Sequence, residues 1–100
     1  PVWLWEAISV YEAGQLVDPK SLPFLNGGSY PGIAELNSRS KGGKIYSCGY
    51  TLMEYLLDHY GQEKFIELIE NYGDITTVLG VSEEDFLQGW YTFLKTKYSL

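Results

Sequence analysis

The sequence predicts an all-α fold, a small bundle of about four to five helices interrupted by one long irregular insert. Two observations carry this. Apolar residues recur at helical spacing over the first thirteen residues and over most of residues 46–98. Between these stretches, after Gly14, residues 15–44 hold five glycines (Gly27, Gly28, Gly32, Gly42, Gly43) and three prolines (Pro19, Pro23, Pro31), which breaks any regular pattern. At 100 residues the chain is one domain at most. Its apolar content of 45%, with three Trp, four Phe and nine Tyr, is too high for a disordered segment.

The elements follow in order. Residues 1–13 open on Pro1, which suits a first helical turn, and Gly14 punctuates their end. Trp3, Ala7 and Val10 share one face, with Leu4, Ile8 and Tyr11 beside them. Within the insert the expected regular structure is one turn around residues 21–25. A stretch this long without elements usually lines a site or is mobile. Residues 46–60 carry Tyr46, Tyr50, Met53 and Leu57 along one stripe, and Gly61 is a helix stop. Residues 63–72 place Phe65, Ile66, Ile69 and Tyr72 at helical spacing. A short turn over residues 75–79 closes at Gly80. Ser82, with Asp85 three residues later, starts the last helix, whose stripe runs from Phe86 through Trp90 and Leu94 to Tyr98.

Charge and composition exclude some functions. The formal net charge of −6 argues against nucleic-acid binding and against an anionic membrane surface. The single cysteine, Cys48, allows no internal disulfide and therefore says nothing about compartment. No Gly-rich phosphate loop and no Ser/His/Asp set is present. One histidine, His59, cannot build the usual zinc site, and a surface or capping role is expected for it. Cys48 reads as a buried, inert thiol. Glu54 and Asp58, four apart, read as like charges on an exposed face.

Two residues stand out as chemistry. Glu6 is the only charged side chain among the first eleven residues, on a helix face with Val2, Trp3, Val10 and Ala13. A carboxylate among apolar groups is costly unless it is paired, hydrogen-bonded or bound to metal. A solvated position, or a bond to Ser9 or a loop amide, would also satisfy it. Tyr46 opens a helix just after Gly42-Gly43-Lys44-Ile45, where a phenol can point into a cleft and donate to a developing oxyanion. One more core or rim tyrosine is the alternative.

Two stretches together resemble a family. Trp3-Leu4-Trp5-Glu6-Ala7-Ile8-Ser9-Val10-Tyr11 is similar to the Trp-Leu-x-Glu-Gly-x-Ala-x-Tyr segment of gluzincin zinc metallopeptidases, the aminopeptidase-N-like and peptidase MA-like proteins. Some forty residues on, Tyr46-Ser47-Cys48-Gly49-Tyr50-Thr51-Leu52 resembles the family's Tyr-x-x-Gly-x-x-Leu element. Tyr55-Leu56-Leu57 and Tyr60-Gly61-Gln62-Glu63-Lys64-Phe65 resemble its following helix pair, and Leu79-Gly80-Val81-Ser82 with Phe86 and Trp90 its close. Ala7 and Ser9 replace residues that are commonly Gly and Ala, which keeps the segment small. Ser47-Cys48 also departs from the commoner residues.

The resemblance implies that Glu6 is the third zinc ligand and that Tyr46 stabilises the tetrahedral intermediate. It implies a parent protein that hydrolyses peptides. No H-E-x-x-H occurs in the chain, so the two histidine ligands and the general-base glutamate are missing. The chain is therefore expected to be the C-terminal helical part of a larger catalytic domain. It should bind no zinc and be inactive alone, and its partner would be an upstream domain carrying H-E-x-x-H. Without that domain an apolar face around Trp3, Trp5 and Ile8 is expected to be exposed, which would permit self-association. Two other readings fit the same residues: a stand-alone helical interaction module, and a relative that kept the fold and lost catalysis.

Overall fold

A computed structural model describes residues 1–40 and 43–100. Gly42, within the Gly-Gly-Lys lead-in to Tyr46, lies outside them. Among the described residues there are six α-helices, α1 (Val2–Glu12), α2 (Pro23–Asn26), α3 (Ile33–Leu36), α4 (Lys44–Glu70), α5 (Ile75–Leu79) and α6 (Glu83–Tyr98), and one 3-10 turn at Pro19–Ser21. There is no strand among the described residues. The all-α fold read from periodicity is the observed one.

The long helix α4 is the axis. Its first arm, residues 44–60, carries Ile45, Cys48, Leu52 and Leu56 into the core. Gly61 then adopts φ 86°, ψ 168°, a conformation that side-chain-bearing residues rarely adopt, and the path bends. The sequence predicts a stop at Gly61 followed by a new helix. The bend is there, but the second arm follows with no intervening loop. That arm ends at the Asn71–Asp74 turn, where Gly73 has φ 77°. A Cβ on Gly73 would overlap the Pro1 ring, so the turn closes directly over the start of α1.

Helix α1 packs across the first arm of α4, and α6 covers the other side of the core. Trp3, predicted to lie on an exposed apolar face, is instead only 2% exposed. Its ring lies 5.8 Å from that of Phe86 on α6. The expected face shrinks to half-buried residues such as Trp5 and Ile8, both packed against the core. Helix α1 has no side-chain cap of its own. Its Trp3 N–H donates instead to Asn37 Oδ1 at 3.0 Å, so the insert satisfies one of the orphan donors of the first turn.

The insert holds more structure than the one turn the sequence suggests. Asp18 caps the 3-10 turn by accepting from the Lys20 N–H. Pro23 starts α2, and α3 forms a further turn. The reason is burial: Leu25 and Leu36 are anchored in the core at 1% and 0% exposure. Tyr91 of α6 donates to the Leu25 carbonyl at 3.3 Å, and its ring lies 5.2 Å from that of Tyr30. Turns this short have little stability of their own, so packing decides them.

The late elements form as their caps predict. The Asp74 carboxylate accepts from Thr77 N–H (3.2 Å) and Thr77 Oγ1 (2.8 Å), and Gly80 closes α5 at φ 71°. Ser82 Oγ accepts from Asp85 N–H at 3.0 Å and starts α6.

Candidate functional site

Small residues let α1 and α4 approach closely. A Cβ built on Gly49 would stand 3.0 Å from the Cα of Ala7 and 3.5 Å from the Cβ of Val10. Backbone therefore meets backbone at Ala7 and Gly49. Glu6 is the neighbour of Ala7. Tyr46 precedes Gly49 by three residues, one turn earlier on the same side of α4. The crossing thus brings the Glu6-bearing turn of α1 beside the opening turn of α4.

The Glu6 carboxylate is half-buried, with 23% of its side chain exposed, and it is not alone. Arg39 Nε donates to Glu6 Oε1 at 3.2 Å. Nothing in the sequence pointed to Arg39, which lies 33 residues away in the insert. Its guanidinium is mostly exposed, so the pair is worth at most about 1 kcal/mol.

The Arg39 segment also touches the start of α4. The Gly43 N–H donates to the Ser40 carbonyl at 2.8 Å, and Gly43 accepts from the Tyr46 N–H at 3.2 Å. A Cβ at Gly43 would lie 2.9 Å from the Ser38 oxygen and 3.5 Å from the Tyr46 ring. Glu6 and Tyr46 therefore border one segment, residues 38–40, from two helices. Tyr46 is 39% exposed, a rim rather than a core tyrosine. Beside it Lys44 Nζ meets Glu35 Oε2 at 2.7 Å, and this hydrogen bond holds the Glu35 carboxyl below its usual range. Glu35, Ser38, Ser40, Gly43 and Lys44 line a recess of about 240 Å³.

Among the described residues no three His, Cys, Asp or Glu side chains stand close enough together to share a metal ion. Glu6 offers one carboxylate, already shared with an arginine. That donor set does not by itself fit a zinc ion, which takes three protein ligands in catalytic sites.

The other singled-out residues sort by environment. Cys48 is buried, and desolvation pushes its thiol up to about 12, so it is inert as expected. Glu54 departs from the exposed face expected of it. Its side chain is 16% exposed and accepts from Lys97 Nζ at 2.7 Å and from the Tyr98 hydroxyl. The end of α6 folds onto it and covers it. His59 is exposed, stacked on Tyr55 at 5.4 Å and edge-on to Tyr60 at 4.7 Å. No helix among the described residues is long and apolar enough to cross a membrane.

Comparison with protein-family models, with curated proteins and with solved structures gives no match.

Proposed function

We propose that the chain is the C-terminal helical part of a gluzincin-type zinc metallopeptidase domain, which hydrolyses peptide bonds only when joined to its metal-binding helix. In this reading Glu6 is the third protein ligand and Tyr46 donates a hydrogen bond to the oxyanion of the tetrahedral intermediate. The reading rests on the resemblance of the two motifs. The observation that supports it is the close contact of Ala7 with Gly49, which sets the turn bearing Glu6 beside the turn bearing Tyr46. A phenol at the rim of a helix start is free to reach a substrate, as Tyr46 is.

The chain supplies one carboxylate and one phenol, and the other two ligands and the base must come from a segment preceding Trp3. The test is a longer protein that carries this segment. Its coding sequence should contain H-E-x-x-H. Purified with zinc, it should cleave a mixed peptide library. Glu6→Gln should lower bound zinc measured by mass spectrometry. Tyr46→Phe should keep the zinc and lower kcat by about 100-fold or more, the usual loss of an oxyanion donor. A preceding segment without H-E-x-x-H would sink the reading, as would a Tyr46→Phe enzyme with unchanged kcat.

A further inference from the structure

A second cleft lies between the first arm of α4 and α6, away from Glu6 and Tyr46. Its volume is about 490 Å³, within the range of ligand pockets. Tyr60, Phe93 and His59 supply aromatic walls, with Asp58 and Asp85 at the rim. The Tyr55 ring, 5.7 Å from that of Phe93, backs the cleft. Gly89 keeps its α6 side open, since any side chain there would collide with the Tyr55 hydroxyl.

The charge of this cleft is unbalanced. Among the described residues neither Asp58 nor Asp85 takes part in an ion pair. An anion is disfavoured there. A metal ion is also disfavoured, because Asp58, His59 and Asp85 do not converge on one point. A cation carried on an apolar stem fits both the rings and the carboxylates. The chain uses the same chemistry internally. Lys97 Nζ sits 5.7 Å from the Phe93 ring centre, in an adjoining cleft that shares Asp58, Phe93 and Thr96 with this one. Lys95 lies over Tyr91 at 4.6 Å and Lys44 over Phe24 at 4.7 Å. Lys97 is bonded to Glu54 at 2.7 Å and meets Asp58 only through longer-range attraction, with no ion-pair contact between them.

We infer that this cleft receives a lysine side chain from a peptide or protein partner. Asp58, His59, Asp85, Thr92 and Thr96 are all exposed. The cleft is therefore open to a side chain entering from outside, with its stem against Phe93 and Tyr60 and its ammonium at the acidic rim. The net charge of −6 steers such a partner inward.

The test is an NMR titration of the isotope-labelled chain, following the His59, Tyr60 and Phe93 rings. The probes are a capped Gly-Lys-Gly peptide, the same peptide with norleucine for lysine, and choline chloride. Saturable shifts at those rings with the lysine peptide alone are expected. Asp58→Asn with Asp85→Asn should weaken binding by about fivefold or more, the scale of an exposed ion pair. Phe93→Leu, which keeps an apolar wall but removes the ring, should weaken it severalfold. Circular dichroism of each variant shows that the fold is kept. Equal shifts with the norleucine peptide would overturn the proposal. So would binding that survives the double aspartate variant, or a response to choline without one to the lysine peptide. Nuclear Overhauser contacts from the Lys97 side chain to His59 in the free chain would assign the cleft to an internal lysine instead.

Discussion

Gly49 lies against the backbone of Ala7, with its Cβ position 3.0 Å from the Ala7 Cα. A glycine inside a helix costs about 1 kcal/mol relative to alanine, so its place in α4 is explained by packing and not by propensity. Gly49→Val forces two branches into a contact made by backbone. The expected loss is about 2 kcal/mol in urea unfolding, as overpacking exceeds the gain in propensity. A Gly49→Val protein as stable as the parent would show that α1 and α4 do not meet as described.

Gly89 and Tyr55 make a second such pair, with a recoverable cost. A Cβ at Gly89 overlaps the Tyr55 hydroxyl and stands 2.9 Å from its ring Cζ. Tyr55 is buried against Phe86 and Phe93, so its ring cannot move freely. Gly89→Ala should destabilise by about 1–3 kcal/mol. Tyr55→Phe in the same chain removes the overlapping atom and should restore part of that loss. Strict additivity of the two changes in thermal unfolding would contradict this contact.

Thr51 is the buried polar link between α4 and α6. Its hydroxyl donates to the Cys48 carbonyl at 3.0 Å and accepts from Trp90 Nε1 at 3.1 Å. Thr51→Val keeps the shape but leaves the indole N–H buried and unpaired. The expected cost is about 1–3 kcal/mol, with Thr51→Ser closer to the parent. Chemical denaturation followed by Trp fluorescence measures both.

Asp74 ties part of the stability to pH. Its hydrogen bonds from the Thr77 side chain and N–H hold its carboxyl below the ordinary value of 3.8. A lowered folded-state pKa means that the unfolded chain takes up the proton first as the pH falls. The contribution is full above the ordinary carboxylate range and fades as pH drops through the lowered value. Asp74→Ala should lower Tm at neutral pH, and the gap should narrow in acid. A gap that stays constant from neutral pH to strong acid would rule out a carboxylate cap.

Much of the fold was legible in the sequence because the long helices carry their own signals. The stripe from Phe86 to Tyr98, the Ser82 cap and the Gly80 break are local features, and the helices run where these place them, while Gly61 bends α4 where a stop was expected. The turns of the insert were less legible. Pro19–Ser21 and Ile33–Leu36 have no periodicity to read and exist because Pro19 and Leu36 are buried in the fold. Of the candidate site, Glu6 and Tyr46 were visible as residue types in unusual places. Arg39 was not, since an ion pair spanning 33 residues leaves no trace in spacing.

By itself the sequence determined an acidic, all-α chain with a single buried thiol, because composition and period depend on neighbours along the chain. Only the tertiary structure decided what each polar group meets: Arg39 at Glu6, Lys97 and Tyr98 at Glu54, Asn37 at the start of α1. Those partners are distant in sequence and become neighbours only once the apolar faces of α1, α4 and α6 have closed on one core.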